Sequence, residues 1–143
     1  MSELPDKIRV VFDTNIYIAA FLKTGLADLL LRQADEGKFQ VFSSEPIFLE
    51  LRKKLITKFG VEKERADQFC TRLKKQTLTI KEPVDGGTAG AVEDPEDEKI
   101  LTCALAVKAH IIVSMDKHLL KLKDYKEIKI VHPKTLTWMI PDY

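Results

Sequence analysis

Two apolar runs in this chain end in an aspartate. Val10-Val11-Phe12 runs into Asp13, and Ile111-Ile112-Val113 runs through Ser114 and Met115 into Asp116. Short apolar runs bounded by polar residues read as buried strands. In an open parallel sheet both carboxylates then emerge at strand carboxyl ends, the edge where such sheets bind ligands. The same two positions also suit helix capping, which Asp performs well. Asp97 carries a sharper signal. On a helical wheel at roughly 100° per residue, it falls inside the apolar arc of Ile100, Leu101, Ala104 and Val107, while Glu96, Glu98 and Lys99 fall outside that arc or at its edge. An inward-facing ionised carboxylate is costly unless something compensates it. Asp94, followed by Pro95, reads as the N-cap of the same helix. Glu50 lies at the edge of the arc set by Ile47, Phe48, Leu51 and Leu55. Alone it reads as a solvated helix residue, and it gains weight only if its helix borders the same crevice.

If Asp13, Glu50, Asp97 and Asp116 converge, their charges conflict. Two like charges 4 Å apart repel by ~1 kcal/mol in water and by ~4 kcal/mol at an effective dielectric near 20. Such a cluster must take up protons or a cation. Hard oxygen ligands without Cys or His suit Mg²⁺ or Mn²⁺ rather than zinc or copper. Carboxylates holding such ions are common equipment for phosphodiester hydrolysis, in which the metal activates water and neutralises charge on the phosphate. Ser114 stands two residues before Asp116, so both side chains share one side of an extended backbone. It can hold a carboxylate or a water by hydrogen bond, and Asn15 can orient Asp13 in the same way. His110, His118 and His132 read as structural or solvated.

These residues need a scaffold, and strand and helix signals alternate along the chain. Strands are expected at 8–12, 39–42, 78–80, 111–113 and 128–131. Helices are expected from 14, over 26–34 with a close near Gly37, from 44 or 46 to about 58, over 62–75, from 95 to about 109, over 117–122 and over 133–140. Residues 83–95 read as one loop. Alternating elements predict an α/β domain of three layers, α/β/α, with a mainly parallel sheet of about five strands. The 143 residues make one domain, large enough to bury roughly 68–70% of the unfolded surface. With 45% apolar and 31% charged residues, a disordered tail is excluded, and a formal charge of +1 excludes a strongly basic, histone-like binder. No apolar run approaches the ~18–20 residues that cross a bilayer, so no membrane association is expected. Cys70 and Cys103 lack any pairing or zinc spacing, which points to a reducing, cytoplasmic setting.

With these residues in view, the chain resembles the PIN-domain nucleases. Phe12-Asp13-Thr14-Asn15 is similar to that family's opening motif. Glu50, within Ser44-Glu45-Pro46-Ile47-Phe48-Leu49-Glu50-Leu51, resembles its acid in the helix after the second strand. The stretch from Asp94 to Ala104 resembles its third acidic motif, and Val113-Ser114-Met115-Asp116-Lys117 its strand-ending Thr/Ser-x-Asp. The resemblance spans about residues 8–132. It implies a ribonuclease dependent on Mg²⁺ or Mn²⁺, with Asp13, Glu50, Asp97 and Asp116 as metal-holding acids and Asn15 and Ser114 in support. The wheel position favours Asp97 over Asp94 as the third acid.

The family's commonest small members are VapC-like toxins of prokaryotic toxin–antitoxin pairs, which cleave RNA, often dimerise and are blocked by an antitoxin. An RNA substrate, a cognate antitoxin and a homodimer are therefore expected. Arg52, Lys53, Lys54 and Lys58 beside Glu50, and Lys117, Lys121 and Lys123 after Asp116, suit contacts to RNA phosphates, or simply a solvated basic surface. Tyr17 and Phe21 suit core packing better than base stacking. Haloacid-dehalogenase-like phosphatases fit poorly, because Asn15 stands where they need a second Asp. Receiver-like domains lack their early acid pair here, and Gly86-Gly87-Thr88-Ala89-Gly90 is no dinucleotide fingerprint. The alternatives kept are a PIN-like RNA- or partner-binding module without turnover, and a PIN nuclease of RNA processing or decay.

Overall fold

The computed structural model describes residues 7–81 and 92–140; most of the expected 83–95 loop lies outside the described residues. In chain order the elements are β1 (Arg9–Phe12), α1 (Thr14–Phe21), α2 (Ala27–Asp35), β2 (Gln40–Ser44), α3 (Glu45–Thr57), α4 (Lys63–Gln76), β3 (Leu78–Ile80), α5 (Pro95–Ala106), β4 (Ile111–Val113), α6 (Lys117–Leu122), β5 (Asp124–Tyr125), β6 (Ile128–Val131) and α7 (Pro133–Met139). One sheet of six strands runs in the order β3-β2-β1-β4-β6-β5, flanked by helices. Five strands are parallel, and only β5 pairs antiparallel, with β6. The three-layer α/β reading holds, with one strand more than the expected five.

The central strands are continuous apolar runs because both faces of the sheet are covered. Val10, Val11 and Phe12 are fully buried, as are Ile112 and Val113. Phe12 packs edge-on against Tyr17 and Phe39 at ring separations of 5.7 and 6.3 Å. The described residues share this one core, and Cys70 and Cys103 lie buried within it as free thiols.

Helix ends follow backbone hydrogen bonding more than the sequence suggests. After α2, Gly37 adopts φ of 85°, and the N–H groups of Gly37 and Lys38 return to the carbonyls of Ala34 and Gln33. This is the glycine-closed end expected there. Helix α5 stops at Ala106, three residues before the expected end. Lys108 takes the left-handed conformation, φ 55°, and the N–H groups of Lys108 and Ala109 return to Leu105 and Ala104. The motif is the same, built on a lysine that gives no turn signal.

The strand order determines where a ligand can sit. From β1 the chain winds outward through β2 to β3, then crosses back to place β4 on the other side of β1. Helical connections leave in opposite directions from β1 and β4, which opens a crevice between their carboxyl ends.

Candidate active site

Register brings the first two acids together. Val10, Val11 and Phe12 pair with Ile111, Ile112 and Val113, and the Asp13 N–H donates to the Val113 carbonyl at 2.9 Å. Asp13 therefore emerges opposite Ser114. The buried Ser114 hydroxyl donates to Asp13 Oδ2 at 2.7 Å and accepts from the Asp116 N–H at 2.9 Å. One hydroxyl thus ties both strand ends together. Asp116 also caps α6, its Oδ1 accepting from the His118 N–H at 2.8 Å. Capping and clustering coexist in this residue. At Asp13 the α1 N-terminus has no side-chain cap, so its carboxylate is committed to the crevice.

Asp97 arrives from α5. Asp94 caps that helix through the Glu96 N–H at 2.9 Å and Pro95 occupies its first position. This start turns Asp97 inward, where it is 4% exposed. Asp13, Asp97 and Asp116 each place a carboxylate oxygen within 4.8 Å of the others. The protein has gathered three carboxyl groups, and the protonation of Asp13 and Asp97 shows the strain. Burial, then the charges of Asp116, Asp13 and Asp94, push the Asp97 carboxyl up to about 7. Burial also raises Asp13, against the pull of the Ser114 hydroxyl. Three carboxylates with no Cys or His form a hard-oxygen donor set that fits Mg²⁺ or Mn²⁺.

The other candidates divide. Among the described residues, Glu50 lies outside this group of three. Its half-buried carboxyl faces Glu96, which raises its pKa, and Lys99 Nζ, at 3.9 Å from Oε2. Glu96, pulled low by the same contact, binds Lys54 Nζ through Oε2 at 2.5 Å. The Glu50–Glu96 and Lys54–Glu96 contacts were not legible in the sequence. The only available hint was that Glu50 and Lys54 stand one helical turn apart. Asn15 is exposed, and its backbone N–H lowers Asp13 weakly. Asp94 is exposed outside the group of three and acts on Asp97 by charge.

Of the basic residues, Arg52 is paired with Asp67 at 2.6 Å, while Lys58, Lys117, Lys121 and Lys123 are exposed. Tyr17 is sealed between Phe12 and Phe48, and Phe21 packs on Phe69 beneath Arg65. His110 accepts from the Arg9 N–H and His132 caps α7, both structural roles.

Ser114→Ala is expected to remove the bridge between the strand ends and take a hydrogen bond from the buried Asp13 carboxylate and from the part-buried Asp116 N–H. This costs about 1–3 kcal/mol of stability, read by urea denaturation. A variant as stable as the parent would show that the bridge contributes nothing.

The fold and the acidic crevice together match a known class. A family model described as "PIN domain" fits residues 9–118, and the chain belongs to the PIN domain family. Among individual proteins, it is 28% identical over 139 residues to an uncharacterized protein of Methanocaldococcus jannaschii, MJ1680, covering 92% of this chain and 87% of that one. Its fold is similar to that of VapBC2 from Rickettsia felis, solved bound to a DNA fragment from their promoter. The TM-score is 0.62 at 15% identity, over 86% of this chain and 97% of that one. Among the described residues, no helix is long and apolar enough to cross a membrane.

Proposed function

We propose that the protein is an endoribonuclease dependent on Mg²⁺ or Mn²⁺. The observation that carries this reading is the meeting of Asp13, Asp97 and Asp116, from three separate segments, within 4.8 Å at the switch point of the sheet. Membership of the PIN domain family supports it. Asp13, Asp97 and Asp116 would hold the ion, with Glu50 as the fourth acid at the rim. Once bound, a divalent ion supplies a Lewis acid that activates water and offsets charge on the scissile phosphate.

The chain's own residues do the rest. Ser114 fixes the Asp13 carboxylate and, through the Asp116 N–H, the start of α6. Asn15 at the mouth and the exposed lysines after Asp116 meet the RNA backbone, whose contacts position a substrate without reading its sequence. The expected products carry 5′-phosphate and 3′-hydroxyl ends. The fold likeness to VapBC2 of Rickettsia felis supports a toxin role with a cognate antitoxin as partner, and a cytoplasmic homodimer belongs to the same proposal.

The purified protein is expected to cleave RNA with Mn²⁺ or Mg²⁺ and to stop in EDTA, and Asp13→Asn is expected to be inactive. Equal cleavage by parent and variant would reveal a contaminant and overturn the assignment. No cleavage of a broad RNA set by either would favour a binding module without turnover.

A further inference from the structure

The acidic crevice continues past the three aspartates. Glu50 on α3 and Glu96 on α5 form a second pair of carboxyls in direct contact. Two lysines answer them. Lys99 Nζ lies 3.9 Å from Glu50, and Lys54 Nζ lies 2.5 Å from Glu96. The Lys54 side chain is only 17% exposed, although lysines ordinarily keep their ammonium in water. Its charge also reaches Asp13. Lys54 therefore pairs directly with Glu96 and acts on Asp13 by charge alone.

The charge count follows. Asp13, Asp97, Asp116, Glu50 and Glu96 bring five carboxylates, and Lys54 and Lys99 return two positive charges. One divalent ion at the aspartates returns two more and leaves the crevice close to neutral. Two-metal sites hold their ions ~3.5–4 Å apart and need carboxylates free to bind both. Here the carboxylates available for a second ion are the glutamates already held by lysines.

We propose that Lys54 is the built-in second cation of this site, so that the crevice takes one divalent ion, at the aspartates, where removal of the ammonium would admit two. The proposal rests on the metal-dependent reading above. Lys54 acts as a positioning charge: it holds Glu96, and with it Glu50, away from the ion.

Titration of MnCl₂ into the metal-free full chain, followed by calorimetry and by electron paramagnetic resonance of bound Mn²⁺, tests it without any cleavage assay. The wild-type protein is expected to bind one Mn²⁺ per chain. Lys54→Met, which keeps the apolar stem, is expected to bind two, the second at least about tenfold tighter than any second ion in the wild type. Lys54→Arg should restore one. Lys54→Gln carries the same expectation as Lys54→Met should the latter fail to fold. Two ions of comparable affinity in the wild type, or one ion in both neutral variants, would overturn the proposal while leaving the metal-dependent reading intact. No Mn²⁺ bound by the wild type would overturn both.

Discussion

Asp97→Asn is expected to abolish RNA cleavage and at the same time make the metal-free protein more stable. The two effects share one cause. Asp97 is 4% exposed beside two other carboxylates, and its own carboxyl is held up to about 7. Above about pH 7 and without a cation, the Asp97 carboxylate is ionised in a crevice it shares with two other acids. The amide keeps the shape and removes that charge. The gain should be about 1–3 kcal/mol, a part of the ~4 kcal/mol that two charges 4 Å apart feel at an effective dielectric near 20. Loss of activity should exceed about 10²-fold, because even partners one step removed from a metal cost 10–100-fold in affinity or activity. Urea denaturation in EDTA and an RNA assay in Mn²⁺ check the two arms. An Asp97→Asn protein less stable than the parent in EDTA at pH 8 would show that the aspartate charge is not in conflict with the fold.

The second large effect is the dependence of stability on pH, and on metal through it. An acid whose pKa is raised on folding retains protons that the unfolded chain releases. For Asp97 the stabilisation is complete below its ordinary value of 3.8 and is lost as pH rises through about 7. Asp13 and Glu50 shift in the same direction, and Glu96 shifts against them. His110, pushed down by burial, opposes the trend near its ordinary value without matching the larger shift of Asp97. The thermal midpoint in EDTA should therefore fall between pH 5.5 and pH 8. Mg²⁺ competes with those protons, so its stabilisation should grow over the same interval. At a hundred times its dissociation constant a ligand adds about 2.7 kcal/mol, a shift on the order of 10 °C for a chain of this size. Differential scanning fluorimetry at the two pH values, with EDTA and with Mg²⁺, reads both slopes. A midpoint in EDTA that rises with pH would remove the electrostatic account of the crevice.

Much of this crevice was legible in the sequence because burial leaves a pattern. Val10-Val11-Phe12 and Ile111-Ile112-Val113 are apolar without alternation, as strands covered on both faces must be, and their shared ending marked Asp13 and Asp116. Asp97 was legible because a carboxylate in an apolar arc contradicts its surroundings. Glu50 shows the limit of that approach. A helical wheel tells which side of α3 turns inward, and it says nothing about which neighbour meets it there. That neighbour is Glu96, on a helix more than forty residues away, with Lys54 and Lys99 completing the group.

Strand β5 was missed for a different reason. Asp124 and Tyr125 pair back on Lys129 and Ile128 around Lys126 and Glu127, both with positive φ, 47° and 71°. Two-residue hairpins of this kind favour Asn and Gly. Lys-Glu carries neither signal, so only the tertiary context reveals the turn.

The Asp13–Ser114 contact joins residues 101 positions apart, and β1 at the centre of the sheet must wait for β4 to fill one of its two sides. Until β4 docks, Asp13 lacks both the Ser114 hydroxyl and the Val113 carbonyl that hold it. Contacts this distant in the chain form late, since the loop between them must close first. The acidic crevice is thus a late product of folding: the hydroxyl that pins its first carboxylate arrives only when the far half of the sheet docks.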